Sequence, residues 1–300
     1  MIVITGASGK TGSRTAELLL LKKKEIRVVG RNADHLKVLE SKGAEVMTGD
    51  QADVGFLTKA FAKAKSVYLI VPPKYDSDDY RAYYNAIGDA AVAAIRKSGV
   101  RKVVFLSSLG AELDSGTGPV LGLHDVESKL NTLRKVDTVA IRAGFMMENI
   151  LWSIDMIKNK KMLGDSIDPE VPIHLVAARD IGEKAAELLE RPRFKGHTVI
   201  ELFGDQLTYK EAAKIVGEKL GIPDLPYARV SDNDARTSMT AMGVSKHVAD
   251  LFVEMSESMN AGKLSPVKAA SDKPNAPTRF AMFVEEVLAP AYRAAVKPAA

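Results

Sequence analysis

The chain has 300 residues, and its 46% hydrophobic content is enough for a sizeable buried core in one large domain or two unequal ones. It contains no cysteine, which excludes disulfide frameworks, thiolate zinc sites, iron–sulfur clusters and cysteine nucleophiles, and is typical of a reducing compartment. Its 42 basic and 38 acidic residues give a net charge of +4 but are mixed along the chain, so we expect no nucleic-acid partner.

The first half of the chain alternates short β-branched runs with amphipathic stretches, the pattern of repeated strand–helix units. The predicted strands are 2–5, 26–30, 44–48, 66–71, 102–107 and 137–142. The predicted helices between them are 11–24, 33–42, 53–63, 79–98 and 122–134. Apolar strands such as 67–71 do not alternate, which indicates burial on both faces of a parallel sheet. We therefore predict an α/β fold with a doubly wound parallel sheet of the Rossmann type.

Beyond residue 145 the strict alternation stops and helices dominate the prediction. The predicted helices are 146–161, 179–191, 208–220, 232–242, 245–260 and 278–293, with strand candidates at 171–176 and 197–202. We expect an NAD(P)-binding domain over 1–150 and a smaller helix-rich substrate or lid part over 151–300, whose strands could rejoin the Rossmann sheet. Prolines with scattered lysine and serine predict a long loop over 262–278.

The sequence offers no pattern for a membrane segment or a metal site. Its first residues lack a charged region followed by a long apolar one, and no later apolar run is long enough to cross a bilayer. The histidines outside the candidate site, His35, His174, His197 and His247, show no paired spacing. We expect a cytoplasmic protein without a membrane partner or a bound metal.

A glycine-rich turn, Gly6–Gly12, follows the first strand and opens a leucine-rich helix. Glycines are needed where the chain must turn sharply, let a pyrophosphate approach the backbone, and pack its helix against the sheet. The helix N-terminus supplies free N–H groups and a partial positive charge for the phosphates. A triphosphate-binding loop would need a glycine five positions before Gly9, where Ile4 stands. The strand–loop–helix context therefore predicts a dinucleotide site.

The next three strand ends supply further candidates for cofactor contacts. Arg31 follows the second strand, where an NAD enzyme usually places an acidic residue on the ribose 2′-hydroxyl. A guanidinium can hold a 2′-phosphate bidentately, so we predict NADP(H) in preference to NAD(H), the alternative being an exposed arginine without a ligand. Asp50 and Gln51 follow the third strand and could bond the adenine or cap the next helix. Val71 and Pro72 end the fourth strand, at the edge where ligands bind.

Several short motifs accompany this pattern. They are the glycine triplet at 6–12, Gly30-Arg31-Asn32, Gly49-Asp50, Ser107-Ser108-Leu109-Gly110, His124 with Lys129, Arg142-Ala143-Gly144-Phe145 and Glu148-Asn149. Together they resemble the NmrA-like family of atypical short-chain dehydrogenases/reductases, and within it the quinone reductases and triphenylmethane reductases that use NADPH. Beyond residue 150 the resemblance rests mainly on Ala178-Arg179-Asp180-Ile181-Gly182.

The resemblance implies a role for each part of the pattern. The phosphates would lie on the glycine-rich turn, at Gly6, Ser8, Gly9, Lys10, Thr11 and Gly12. Arg31 would hold the 2′-phosphate, and Ser107 and Lys129 would lie near the nicotinamide and its ribose. Phe145 and Met146 would wall that pocket. The alternatives are a locally satisfied strand end for Ser107, a solvated helix face for Lys129, and core packing for Phe145 and Met146.

The usual catalytic tyrosine of the wider superfamily is absent. Ordinary members pair a tyrosine with a lysine four residues later, and the lysine lowers the tyrosine pKa for proton exchange with an alcohol or ketone. Asp125 stands four residues before Lys129, and no tyrosine in the chain has a lysine at that spacing. Hydride transfer to a quinone or a cationic dye needs no strong protein acid. His124 could donate a proton near neutral pH, or could be an ordinary surface histidine.

Four tyrosines, Tyr75, Tyr80, Tyr83 and Tyr84, follow the fourth strand. They could stack on a flat aromatic substrate, but the spacing of the last three with Ile87 favours core packing for most of them.

The candidates together favour an NADPH-dependent oxidoreductase. It would transfer hydride to a quinone-like or other conjugated small-molecule acceptor, with Lys129, His124 and Ser107 as candidate catalytic residues. A non-catalytic NADP(H)-binding redox sensor of the NmrA type is the alternative, kept open by the missing tyrosine. We expect a small-molecule substrate, aromatic or quinone, and allow for a homodimer.

Overall fold

The computed structural model of the chain describes residues 1–267 and 273–296. Its strands are β1 Ile2–Thr5, β2 Ile26–Gly30, β3 Glu45–Thr48, β4 Ser66–Leu69, β5 Lys102–Ser108, β6 Asp137–Ala143, β7 Phe145–Met146, β8 Leu163–Asp165, β9 Pro172–Val176, β10 His197–Leu202, β11 Asp205–Thr208 and β12 Tyr227–Arg229. Its helices are α1 Lys10–Leu21, α2 Lys37–Ser41, α3 Val54–Ala60, α4 Tyr80–Ser98, α5 Val120–Asn131, α6 Ile154–Lys160, α7 Ala178–Glu190, α8 Tyr209–Leu220, α9 Asp232–Ala241, α10 Lys246–Asn260, α11 Phe280–Phe283 and α12 Ala289–Val296. The order confirms the predicted alternation of strands and helices through residue 143.

Seven strands form one sheet in the order β3-β2-β1-β4-β5-β6-β10, with every neighbouring pair parallel. Strands β1, β2 and β4 are buried along their whole length, because helices cover both faces of the sheet. Strand β3 is partly exposed, as an edge strand must be. The seventh strand, β10, comes from the second half of the chain and rejoins the Rossmann sheet. The doubly wound parallel fold is confirmed.

Two helical layers enclose this sheet. Helices α1 and α7 share one apolar core with the strands, and α3, α4 and α5 share another on the opposite face. Helix α7 lies directly against α1 because Gly182 has no side chain. A Cβ at Gly182 would lie 2.8 Å from the Cβ of Arg14. The second half of the chain therefore supplies both a strand and a covering helix to the Rossmann layers.

The strand order reverses at β1. From β1 the chain runs outward through β2 to β3, then crosses back to β4, which pairs with the other side of β1. In open α/β sheets such a switch point leaves a crevice outside the carboxyl ends of the strands, where ligands bind. The loops that follow β1, β2, β4, β5 and β6 all begin at this edge.

The rest of the second half forms a third apolar core next to the carboxyl edge. It contains a small sheet, β11-β9-β7, and the strand pair β12-β8. Because β7 begins two residues after β6 ends, this core is joined to the carboxyl edge of the main sheet. The predicted strand at 171–176 is β9, whereas β7, β8, β11 and β12 were not predicted, since runs of two to four residues show no period.

The remaining predictions concern one helix, one loop and membrane-spanning segments. The helix expected over 146–161 begins as a 3₁₀ segment, Met147–Ser153, and becomes α-helical only in α6. The loop expected over 262–278 has neither helix nor strand at 262–267 and 273–278, and residues 268–272 lie outside the described residues. None of the helices described is both long enough and apolar enough to span a bilayer.

Candidate functional site

The turn between β1 and α1 depends on two of its glycines. Gly6 has a φ of +59°, a conformation that costs other residues free energy. At Gly12 a Cβ would lie 2.5 Å from the carbonyl oxygen of Gly6, closer than any side chain can approach a backbone atom. The Gly9 amide donates to that same carbonyl at 3.0 Å. The turn is therefore as tight as the glycine spacing predicted.

The N-terminus of α1 is exposed and has no side-chain cap. Gly9 is the N-cap residue and offers no side-chain cap, whereas the Asp53 carboxylate caps α3 through the amides of Gly55 and Phe56. The first amides of a helix have no intrahelical partner and carry a partial positive charge. Ser8, Gly9 and Lys10 are exposed, while the next two turn residues are buried against the sheet. This arrangement fits a pyrophosphate.

Arg31 stands exposed at the end of β2. Within residues 1–267 and 273–296 its guanidinium has no ion pair with a carboxylate. Burial raises the pKa of Tyr83, and the nearby charge of Arg31 acts in the opposite direction. A free, exposed guanidinium at this strand end fits a ribose 2′-phosphate.

Asp50 and Gln51 lie at the neighbouring strand end, after β3. The Asp50 carboxylate accepts from the Ala52 amide at 2.9 Å, an ordinary turn contact. Gln51 is 4% exposed, and its Oε1 has no hydrogen-bond partner in the part of the chain described. Asp53, and not this pair, caps α3. A buried acceptor without a donor fits a ligand amine, as in the predicted adenine contact.

The connection after β4 closes over the glycine turn. The strand ends at Leu69, two residues earlier than predicted, because the Ile70 amide donates to the Thr5 hydroxyl at 2.8 Å. A Cβ on Gly6 would lie 3.1 Å from the Ile70 side chain. Val71 is buried and Pro72 half-buried beside this contact. Both therefore lie at the switch point, where the sequence placed them.

Ser107 belongs to a closed polar network at the end of β5. Its hydroxyl donates to the Glu127 carboxylate, which also receives the Arg142 guanidinium at 2.8 Å and 3.1 Å. A third contact, at 2.8 Å, joins Arg142 to Glu112. The side chains of Arg142 and Glu127 are only 11% and 7% exposed. This network ties β5 and β6 to α5.

Lys129 and Asp125 both turn from α5 towards α4. The Lys129 ammonium pairs with the Asp89 carboxylate. Asp125, at the place of the superfamily's tyrosine, accepts from the Arg81 guanidinium at 2.7 Å and 2.8 Å and from the Asn85 amide at 2.7 Å. The bonds from Arg81 hold the pKa of Asp125 below its usual range, so Asp125 is an anion near neutral pH. The structure does not bring Lys129 together with Ser107.

His124 is half-buried on the first half of α5. Its Nδ1 lies 2.9 Å from the carbonyl oxygen of Ala111, which fixes the ring if Nδ1 carries the proton. In that tautomer Nε2 is an acceptor. Of the three candidate catalytic residues, His124 alone forms no bond to another side chain among the residues described.

Phe145 and Met146 form β7 and pair with Leu175 and Val176 of β9. Both are half-buried and line a cavity of about 40 Å³, which holds no more than a few water molecules. The cavity also reaches Ile150, Leu175, Asp165 and Tyr209. It is too small to hold an aromatic substrate.

Two carboxylates of the site region, one of them in the Glu148-Asn149 motif, had no role predicted from the sequence. Glu127 takes a position of the apolar stripe of α5, and a charge inside such a stripe is the pattern that could have revealed it. Glu148 accepts from the amide of Ala178, at 3.0 Å and 3.1 Å, and so caps α7 from outside the helix. Burial raises the pKa of Glu148, while the charge of Lys10 acts in the opposite direction.

Comparison with known proteins finds one matching family model, and it finds solved structures of similar fold. The model of the NmrA-like family matches residues 1–281. An NAD(P)H azoreductase from Xenophilus azovorans is 25% identical over 257 residues, 85% of this chain and 86% of that protein. An Escherichia coli NADPH-dependent quinone oxidoreductase in complex with NADPH has a TM-score of 0.80 at 23% identity, covering 96% of this chain and 100% of its own. The Citrobacter sp. triphenylmethane reductase complexed with NADP(H) also scores 0.80, at 20% identity, covering 95% and 99%.

Proposed function

The chain belongs to the NmrA-like family, and from that membership we propose that it is an NADPH-dependent reductase with a quinone-like or other conjugated acceptor. The observation that carries the proposal is the uncapped N-terminus of α1 behind a tight glycine turn, with an unpaired Arg31 at the next strand end. Two relatives named as reductases, one of them an NAD(P)H azoreductase, support the reductase class.

NADPH, when bound, supplies a hydride from its nicotinamide ring. The glycine turn would hold its phosphates through Gly6, Ser8, Gly9, Lys10, Thr11 and Gly12. Arg31 would take the 2′-phosphate and Gln51 the adenine, with Asp50 beside it. Val71, Pro72 and Phe145 would line the route along the carboxyl edge towards the nicotinamide. We assign the preference for NADPH over NADH to Arg31, because a charge-assisted bond to the 2′-phosphate has no counterpart in NADH.

The proposed acceptor follows from the side chains at the reaction end. An alcohol or ketone substrate needs a protein acid, and Asp125 is held as an anion by Arg81. A quinone that accepts a hydride becomes a hydroquinone anion whose charge is delocalised, so water can protonate it. Ser107 and Lys129 then act by holding β5 and α5 in place, through Glu127 and Asp89. His124 could pass a solvent proton to the product oxygen, but water can do the same, so the reaction does not require His124.

The function is tested by following NADPH absorbance with the purified protein and a panel of quinones, dyes and aldehydes. We expect oxidation of NADPH with quinones and conjugated dyes, and none with aliphatic aldehydes. NADPH oxidation with aldehydes alone would overturn the acceptor class. Gly12→Ala is the matched control for contaminating reductases, because its added Cβ meets the Gly6 carbonyl and should lower, at subsaturating NADPH, any activity that belongs to this chain.

A second candidate is an NADP(H)-binding redox sensor that regulates another protein. The engagement of Ser107 by Glu127 and of Lys129 by Asp89 favours it, since neither side chain is then free for catalysis. Micromolar binding of NADP(H) without turnover of any acceptor in the panel would establish this candidate in place of the reductase. Turnover would exclude it as the sole role.

A further inference from the structure

Three aromatic side chains meet above the carboxyl edge of the sheet. Tyr75 lies edge-on to Trp152, with ring centroids 5.6 Å apart and an angle of 78° between the rings. Phe252 lies on another side of Tyr75 at 6.1 Å. We call Tyr75, Trp152 and Phe252 the aromatic wall. They come from three separate parts of the chain, so only the fold brings them together.

The topology places the aromatic wall near the ends of β5 and β6, the part of the site where hydride transfer is proposed to occur. Tyr75 is in the loop after β4, and Trp152 is in the 3₁₀ segment that follows β6 and β7. Because β4 and β6 are the two neighbours of β5, a contact between these loops spans the end of β5, where Ser107 lies. Trp152 is also six residues beyond Met146, the last residue of β7.

The wall is fixed to its surroundings. Ser245, the N-cap of α10, donates its amide to the Tyr75 carbonyl at 2.8 Å and its hydroxyl to the Ser77 carbonyl at 2.6 Å. These bonds fasten α10, and with it Phe252, to the loop after β4. The segments that carry Tyr75 and Phe252 are therefore joined to each other, and a ligand meets that part of the surface already formed.

The exposure of Trp152 is the unexplained feature. Its side chain is 52% exposed. By contrast, Tyr80 and Tyr84 in α4, the helix that follows Tyr75, are 3% and 5% exposed and belong to the core. Folding gains free energy by burying large rings, so a tryptophan left half in solvent at a fixed aromatic contact is suited to cover a ligand. In an edge-to-face pair, one ring covers only one face of the other ring, so the remaining ring faces are without a partner in that pair.

We infer that the aromatic wall is the surface on which the conjugated ring of the hydride acceptor stacks, with Trp152 and Tyr75 in direct contact with it. The inference rests on the proposed function and names the acceptor class more narrowly: a flat aromatic ring system, such as a naphthoquinone. Offset or edge-on contacts between aromatic rings favour such a substrate over a non-planar diketone of similar size.

The chain is well suited to a direct binding test. Trp152 is its single tryptophan, so fluorescence excited selectively at tryptophan, outside the absorption of the eight tyrosines, reports on the aromatic wall. With no cysteine present, a quinone cannot form thiol adducts that would mimic binding. We expect 1,4-naphthoquinone to quench the fluorescence saturably in the presence of NADP⁺, and 1,4-cyclohexanedione to leave it unchanged. Tyr75→Leu should raise the dissociation constant obtained from the quenching by about tenfold, which is the upper range for the loss of one aromatic pair.

The kinetic arm uses the same acceptor. Trp152→Leu should raise the KM for naphthoquinone by about tenfold, with kcat and NADPH affinity within about twofold, while Trp152→Phe restores most of the loss. Leu21→Ala is the matched control, because Leu21 is an exposed apolar residue at the far end of α1. Melting temperatures near the wild-type value show that the variants fold.

The outcomes separate the wall from the function. A KM unchanged in both Trp152→Leu and Tyr75→Leu, with turnover intact, overturns the aromatic wall and leaves the reductase standing. Saturable quenching that Tyr75→Leu weakens, without turnover of any acceptor, keeps the wall and removes the reductase. The absence of saturable quenching in the wild type also overturns the wall.

Discussion

The carboxyl ends of β1 and β2 and those of β5 and β6 lie on the same edge of one sheet. They differ in whether their polar groups have partners within the protein. At β1 and β2, the N-terminus of α1 has no side-chain cap, and Arg31 has no ion pair among the residues described. At β5 and β6, Ser107, Glu127 and Arg142 bind one another in a buried network.

The difference indicates what each end is for. At the first end, exposed amides and an exposed cation can bind an anion without first breaking protein contacts, which is what the proposed cofactor site requires. The second end has used its polar side chains to fasten strands to a helix, which leaves little protein chemistry for proton transfer. We therefore expect the first end to control cofactor binding and the second to control stability.

The largest effect is expected from breaking the network at β5 and β6. Arg142→Met leaves the Glu127 carboxylate buried without its partner, at a cost of about 3 kcal/mol in the free energy of unfolding. Arg81→Met removes a pair that is 49% exposed on the arginine side and should cost less than about 1 kcal/mol. Urea unfolding of both variants checks the ranking, and equal losses would refute it.

A change at the glycine turn should act on the cofactor instead. Gly12→Ala places a Cβ 2.5 Å from the Gly6 carbonyl, so α1 must shift away from the turn. We expect the affinity for NADPH to fall by about 100-fold, or about 2.7 kcal/mol. In Gly9→Ala the Cβ would lie 3.3 Å from the same oxygen, and the loss should be smaller. Calorimetric titration with NADPH measures both, and undiminished binding in Gly12→Ala would contradict the site.

Arg31→Ala sharpens the comparison further, because it removes one contact without moving the backbone. The affinity for NADPH should fall by about tenfold, or about 1.4 kcal/mol, since a charge-assisted bond to the 2′-phosphate is lost. The affinity for NADH should stay within about twofold of the wild type. If both cofactors lose affinity equally, or neither does, Arg31 has no role at the 2′-phosphate.

A smaller effect is expected from pH. The pKa of Asp125 is lowered in the folded protein, so the carboxylate stabilises the fold above its unfolded pKa of about 3.9, and this contribution is lost as the pH falls through the folded pKa. Asp125→Asn should therefore flatten the fall in unfolding free energy below about pH 4. Asp78→Asn, at an exposed aspartate without an ion pair in the described part of the chain, is the control and should leave the slope unchanged.

The same contrast explains how far the sequence could be interpreted. The turn Gly6–Gly12 and Arg31 were predictable because each depends on local spacing after a strand. The pairing of Glu127 with Arg142 was not, since the two residues come from α5 and β6 and meet only in the folded sheet. Trp152 lies in a segment whose apolar pattern indicated an ordinary helix, and its partner Tyr75 is far away in the chain.

The proposed hydride transfer requires the cofactor end of the sheet and no protein acid at the other end. This proposal is tested most directly by the kcat for NADPH oxidation with 1,4-naphthoquinone in the folded triple variant Ser107→Ala, His124→Gln, Lys129→Gln. We expect a kcat above about one tenth of the wild-type value, because positioned general acids contribute about 100-fold or more where they are used. A fall of 100-fold or more, with NADPH binding intact, would contradict it.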